Sequence, residues 1–109
     1  MALENMPETL KRLLEAQKNF DSKAYASNFS PDAIVVDEGE TYKGQEQIQA
    51  WNSATSAKYQ TVYKPLDYDS ENNILTVEVS GTFPGSPIIL HQQYQFDQDD
   101  LILSWKVVE

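Results

Sequence analysis

The sequence predicts an α+β protein in which helices gathered early in the chain cover one face of a long antiparallel sheet. Two observations carry this. Up to residue 57 apolar side chains recur mainly at helical spacing, interrupted by one short β-branched run. From Tyr59 onward the period changes to two, and turn-forming clusters divide the rest into four runs of similar length. A length of 109 residues allows one domain, residues 1–109, with one core.

Pro7 and Glu8 open the first helix, because proline is tolerated at a helix start and an acid suits the positive end of the helix dipole. Leu10, Leu13, Leu14, Gln17 and Phe20 then repeat at helical spacing, so Pro7 to Asn19 reads as one amphipathic helix. Asp21 or Ser22 can cap a shorter helix carrying Tyr25 and Phe29, which is expected to stop at Pro31. Ala33 to Asp37 is short and β-branched and precedes the polar turn Glu38-Gly39-Glu40, the mark of a strand, and Thr41 to Lys43 can return as its partner. Gly44 releases the chain into a third helix over Gln45 to Ala57, with Ile48, Trp51 and Thr55 on one side. Four strands follow, at Tyr59 to Asp69, Asn73 to Phe83, Pro87 to Asp97 and Leu101 to Val108. The breaks between them, Ser70-Glu71-Asn72, Pro84-Gly85-Ser86 and Gln98-Asp99-Asp100, are short enough for hairpins.

Composition excludes several function classes. Seventeen acids against seven lysines and the single Arg12 give a formal charge of −9, the wrong sign for phosphate backbones or anionic lipid, so neither nucleic acid nor a membrane surface is an expected partner. There is no cysteine and only one histidine, His91, which rules out thiolate chemistry and a multi-histidine metal site. No apolar run approaches the roughly 18 residues that span a bilayer, and Met1 to Pro7 lacks the features of a targeting segment, so the expected location is cytoplasmic. Glycine-rich phosphate loops and a nucleophile–histidine constellation are also lacking, and no cofactor is expected.

The segments Ser30-Pro31-Asp32-Ala33-Ile34-Val35-Val36-Asp37-Glu38-Gly39 and Tyr42-Lys43-Gly44-Gln45-Glu46-Gln47-Ile48-Gln49-Ala50-Trp51 share a recognisable pattern. It runs from Asp-Ala through a strand ending in an acid, then a glycine after an aromatic, to a helix reading Glu-x-Ile-x-x-aromatic. This pattern, with the element order through Phe96-Asp97 and Leu101-Ile102, resembles the nuclear transport factor 2-like superfamily, in particular its SnoaL-like and ketosteroid-isomerase-like members. The resemblance implies a cone, also described as a cystatin-like α+β barrel. In it a curved antiparallel sheet wraps round the three helices, with a small-molecule pocket at the wide end and a homodimer through the outer sheet face. It also implies that Asp37 stands where the isomerases keep their general base. Leu13 stands where they keep an oxyanion-donating tyrosine, and the second donor falls at or near Gln92, an amide that still donates. A site short of such a donor loses about 10²-fold or more, so steroid isomerisation of the usual kind is not implied. The epoxide-hydrolase branch needs an Asp-Arg-Asp set that Arg12 does not complete, and in the polyketide-cyclase branch the late-strand acid is replaced by Gln92 and Tyr94.

The residues carry a parallel reading of their own. Asp37 shares a strand face with Val35 and Ala33. If that face meets the helices, its carboxylate sits at the mouth of an apolar cavity and can take or give a proton. If not, Asp37 only begins a solvated acidic turn. In Pro87 to Asp97, parity puts Ile88, Leu90, Gln92, Tyr94 and Phe96 inward and His91 outward with Gln93 and Gln95, a polar stripe that suits a dimer face. Trp51 is either a pocket aromatic or core, and Tyr25 or Tyr94 can offer a hydroxyl to Asp37 or Gln92, unless the rings simply fill the cone. Trp105 has no assigned face, and Asp97, Asp99 and Asp100 read as a solvated hairpin, not a calcium loop. The expected site is therefore Asp37 as acid or base, with Leu13, Tyr25, Val35, Trp51, Gln92 and Tyr94 around the ligand. The alternative is a non-catalytic ligand-binding or dimerisation module of the same fold.

Overall fold

The structure is a computed structural model that describes residues 3–37 and 39–108. Glu38 lies outside the described residues, so the acidic turn expected there is described only at Gly39 and Glu40, and Met1, Ala2 and Glu109 are likewise outside. After a short 3-10 turn at Leu3–Asn5, helix α1 runs over Glu8–Lys18 and buries Leu10, Leu13, Ala16 and Gln17 along one stripe. Helix α2 is a single turn and a half, Ser22–Ala26, capped by the Asp21 carboxylate, which accepts from the Ala24 N–H at 3.0 Å.

Strand β1 spans Phe29–Asp37, four residues longer at its start than the β-branched run suggests, and it contains Pro31. The missing N–H costs nothing there, because pairing with the neighbouring strand shifts register between Phe29 and Ile34 and the ladder is broken at that point. Strand β2, Glu40–Lys43, returns antiparallel, and helix α3, Gly44–Tyr59, follows at once. The switch from strand to helix needs a left-handed residue, and Gly44 takes it at φ +81°. The third helix therefore starts one residue earlier and ends two residues later than the expected span, and Tyr59 belongs to it and not to a strand.

Strands β3 (Val62–Asp69), β4 (Ile74–Ser80), β5 (Ile88–Phe96) and β6 (Ile102–Val108) form an antiparallel meander. The sheet order is β2-β1-β6-β5-β4-β3, so the last strand inserts beside the first. That pair is parallel, which makes the sheet mixed where an all-antiparallel one was expected. Register shifts interrupt β1 against β6, β3 against β4 and β5 against β6, and such bulges bend a sheet, here around its helices without closing it.

Between helices and sheet lies a core that includes Leu10, Leu13, Tyr25, Phe29, Val35, Ile48, Leu75, Tyr94 and Ile102. The three helices are tied by buried amides. Asn52 donates to Gln17 Oε1 at 2.7 Å, Gln17 donates to the Thr61 carbonyl at 2.9 Å, and the Ser22 hydroxyl donates to Asn52 Oδ1 at 2.8 Å. Each of these polar groups would be costly to bury unpaired. No helix among the described residues is long and apolar enough to cross a membrane.

Candidate functional site

A cavity of about 700 Å³ opens between the inner sheet face and helix α3. The aromatic side chains do not fill the cone, and the space is of the size that takes a drug-like molecule. Strand parity sets its walls. Asp37 follows Val35 by two residues on the inner face of β1, pairs across the hairpin with Glu40, and lines the cavity with it. From β5, Ile88, Leu90 and Gln92 line the cavity while His91 points outward, where its Nδ1 lies 3.0 Å from the Thr76 hydroxyl. Helix α3 contributes Trp51, Thr55 and Tyr59, and the meander adds Tyr63, Val79 and Phe83.

Trp105, which parity within β6 leaves ambiguous, is settled by register. It pairs with Val35 in β1 and with Tyr94 in β5, both inward, so it is inward as well. Val35 pairs on its other side with Tyr42, and the Trp51 ring packs over this row, 5.5 Å from Tyr42 and 5.8 Å from Trp105.

The deep end is polar but uncharged. Gln92 is 1% exposed, and its Oε1 accepts a 2.8 Å hydrogen bond from the Tyr94 hydroxyl, which fixes the amide. Tyr63 lies against the same amide. Although part of its ring is open to the cavity, burial holds its pKa well above the usual value, and the Asp37 charge pushes it further the same way, while the Gln92 and Tyr25 contacts pull it down. Burial raises Tyr25 and Tyr94 too, each reinforced by the neighbouring tyrosines. The Tyr25 hydroxyl and Trp105 indole nitrogen are buried without a full hydrogen bond, yet near enough that the indole N–H favours the tyrosinate. These phenols are neutral donors at physiological pH.

Three of the expected site residues, Asp37, Trp51 and Gln92, line the cavity. The other four do not. Leu13, Tyr25 and Val35 are fully buried and Tyr94 is 1% exposed, so they sit behind the lining; Leu13 is core because its helix turns that stripe into the packed interior. Sequence reasoning missed Tyr42 and Tyr63. The hairpin register that places Tyr42 beside Val35 could have found the first, whereas a bulge between Pro65 and Asp67 obscures the alternation that would have found the second. Among the described residues no group of three or more His, Cys, Asp and Glu side chains is arranged to hold a metal ion. In the last hairpin Asp97 Oδ1 instead accepts from the Asp99 and Leu101 N–H groups.

No protein-family model matches the sequence, and no curated protein does either. Solved structures do. A Sinorhizobium meliloti protein provisionally assigned as a polyketide cyclase is 29% identical with a TM-score of 0.88, over 96% of this chain and 97% of that one. A Catenulispora acidiphila protein with a ketosteroid isomerase-like fold, solved with trimethylamine, is 20% identical with a TM-score of 0.70, covering 95% and 86%. A Mycobacterium tuberculosis protein solved with estradiol-17β-hemisuccinate is 12% identical with a TM-score of 0.78, covering 93% and 90%. The chain has the α+β cone fold seen in nuclear transport factor 2-like proteins, and the solved structures similar to it include a protein provisionally assigned as a polyketide cyclase and one with a ketosteroid isomerase-like fold.

Proposed function

We propose that this protein binds one small, mainly apolar molecule in the cone and that Asp37 acts on it as a general acid or base, in chemistry of the isomerase, lyase or hydrolase type. The supporting observation is the cavity of about 700 Å³ with a carboxylate on one wall and a fixed amide at its deep end. Neighbours of the same fold were solved with a steroid ester and with an amine, which supports small-molecule binding. A base at Asp37 would take a proton from a carbon next to a carbonyl while the Tyr63 hydroxyl or the Gln92 amide donates to the oxygen on which charge builds up.

A non-catalytic binding or dimerisation module is the second reading, favoured by Leu13 in place of a donor on α1. A homodimer through the outer sheet face belongs to either reading, supported by Ile34, Val36 and Ile89, which stand 40%, 41% and 58% exposed there. A cytoplasmic setting is likewise proposed, in keeping with a chain without cysteine.

Deuterium exchange at the α-carbons of 2-tetralone, a generic carbon acid, separates the two readings. Wild-type protein is expected to accelerate the exchange, and Asp37→Asn to bind the ketone without accelerating it. Equal exchange with both proteins would remove the catalytic role and leave the binding module.

A further inference from the structure

We propose that the cavity selects a neutral molecule led into its deep end by a carbonyl oxygen, which takes the Tyr63 hydrogen and is sensed through Tyr25 at Trp105; the inference rests on the small-molecule reading above and names its ligand class. Tyr63 pairs with Val79 on β4, and both line the cavity. Gln92 lines it as well, and its amide is oriented: Oε1 is taken by the Tyr94 hydroxyl at 2.8 Å, which leaves the N–H groups for Tyr63. Gln92 and Tyr25 both favour negative charge on the Tyr63 oxygen, as donors aimed at that oxygen do. Behind Tyr25, the Trp105 indole N–H acts on the Tyr25 oxygen in the same way. An indole nitrogen only donates, so the chain has one direction, from Trp105 through Tyr25 to Tyr63.

A phenolic oxygen approached by donors from two sides keeps its own hydrogen to give, and for Tyr63 the open side is the cavity. Burial and the Asp37 charge both hold that hydrogen on the phenol. A hydrocarbon end placed there leaves the donor unmet, whereas a carbonyl oxygen accepts from it. The same step accounts for the two buried atoms short of a full hydrogen bond, Tyr25 Oη and Trp105 Nε1. A carbonyl that draws on the Tyr63 hydrogen makes the Tyr63 oxygen a better acceptor, so the loose contacts behind it tighten in turn. Tyr25 is fully buried and the indole nitrogen is sealed from the cavity. Tyr63 therefore touches the ligand, and Gln92, Tyr25 and Trp105 are positioning residues that act through it.

The test titrates 2-tetralone and tetralin, which share a ring system and differ by the carbonyl oxygen, into labelled protein and follows the Trp105 indole proton by NMR. The aromatic rings of the two compounds shift that proton alike, so the difference between them isolates the hydrogen bond. With 2-tetralone bound, the signal is expected downfield of its position with tetralin bound. Tyr63→Phe should abolish the difference and weaken binding of 2-tetralone alone, by about threefold to tenfold. Tyr25→Phe, with its fold checked by circular dichroism, should abolish the difference while the ketone still binds. Equal indole positions with the two compounds bound would overturn the carbonyl selection and leave the small-molecule reading standing. A downfield difference that survives in folded Tyr25→Phe overturns the relay, and indole signals that neither compound moves overturn the inference and the reading together.

Discussion

Replacing Tyr94 by phenylalanine removes one oxygen atom and isolates another. The Tyr94 hydroxyl is the donor, at 2.8 Å, to Gln92 Oε1, and both residues are 1% exposed. The amide oxygen left behind has no water to turn to, so Tyr94→Phe should cost about 1–3 kcal/mol, the penalty for a buried acceptor without a partner. A loss near 2 kcal/mol corresponds to roughly 8–16 °C in Tm for a domain of this size. Gln92→Leu orphans the hydroxyl instead and should cost a similar amount. The double variant removes both polar groups, so its loss should fall short of the sum of the two by about 1–2 kcal/mol. Urea unfolding of the four proteins measures this coupling. Single losses below about 0.5 kcal/mol, or strictly additive ones, would show that the amide is not held as described, and the polar end of the cavity would lose its fixed geometry.

Three further outcomes follow from the packing and the titrating groups. Gly81→Ala should destabilise by about 1–3 kcal/mol in thermal unfolding, because an added methyl would run into the Tyr59 carbonyl at the end of α3. Above pH 10 stability should fall. Tyr25 and Tyr94 have folded pKa values above the ordinary value of 10.0, so the unfolded chain loses protons that the folded one keeps. Their contribution is intact below pH 10 and declines above it by roughly 1.4 kcal/mol per pH unit for each, with a smaller share from partly open Tyr63; urea midpoints measured from pH 8 to 11 read the slope. Ile89→Glu, on the outer sheet face, should lower the sedimentation mass from dimer to monomer and leave the melting curve of the protomer essentially in place; a wild type that is already monomeric would refute that use of the face.

How much of this was legible in the chain depended on whether a local pattern or a long-range pairing decided the outcome. The stripe of α1 as far as Gln17, the Asp21 cap and the inward Gln92 and Tyr94 follow from local periodicity and chemistry and stand where periodicity puts them, whereas Phe20, expected on the same stripe, lies past the end of the helix at φ +53° and is exposed. The start of β1 does not. Pro31 reads as a terminator, and only the broken ladder opposite it makes room for a proline within a strand. The parallel pairing of β1 with β6 joins residues about seventy positions apart, a relation no local pattern encodes, and together with the pairing to Tyr94 in β5 it sets Trp105 inward. The side of Asp37 was legible by alternation from Ala33 and Val35. Tyr63 was not, because exposed Val62 and Leu66 flank it and the bulge after Pro65 breaks the alternation. Leu13 was assigned to the ligand by resemblance, and helix packing buries it instead.

The central claim is that the cone takes a small molecule, and the protein carries its own reporters. Trp51 and Trp105 are its only two tryptophans, and both line the cavity. Titrating 2-tetralone into labelled protein and following the two indole N–H signals by NMR is the most direct measurement. Both signals should move together along one saturable curve. Indole signals that stay fixed while the ketone reaches its solubility limit would contradict the claim.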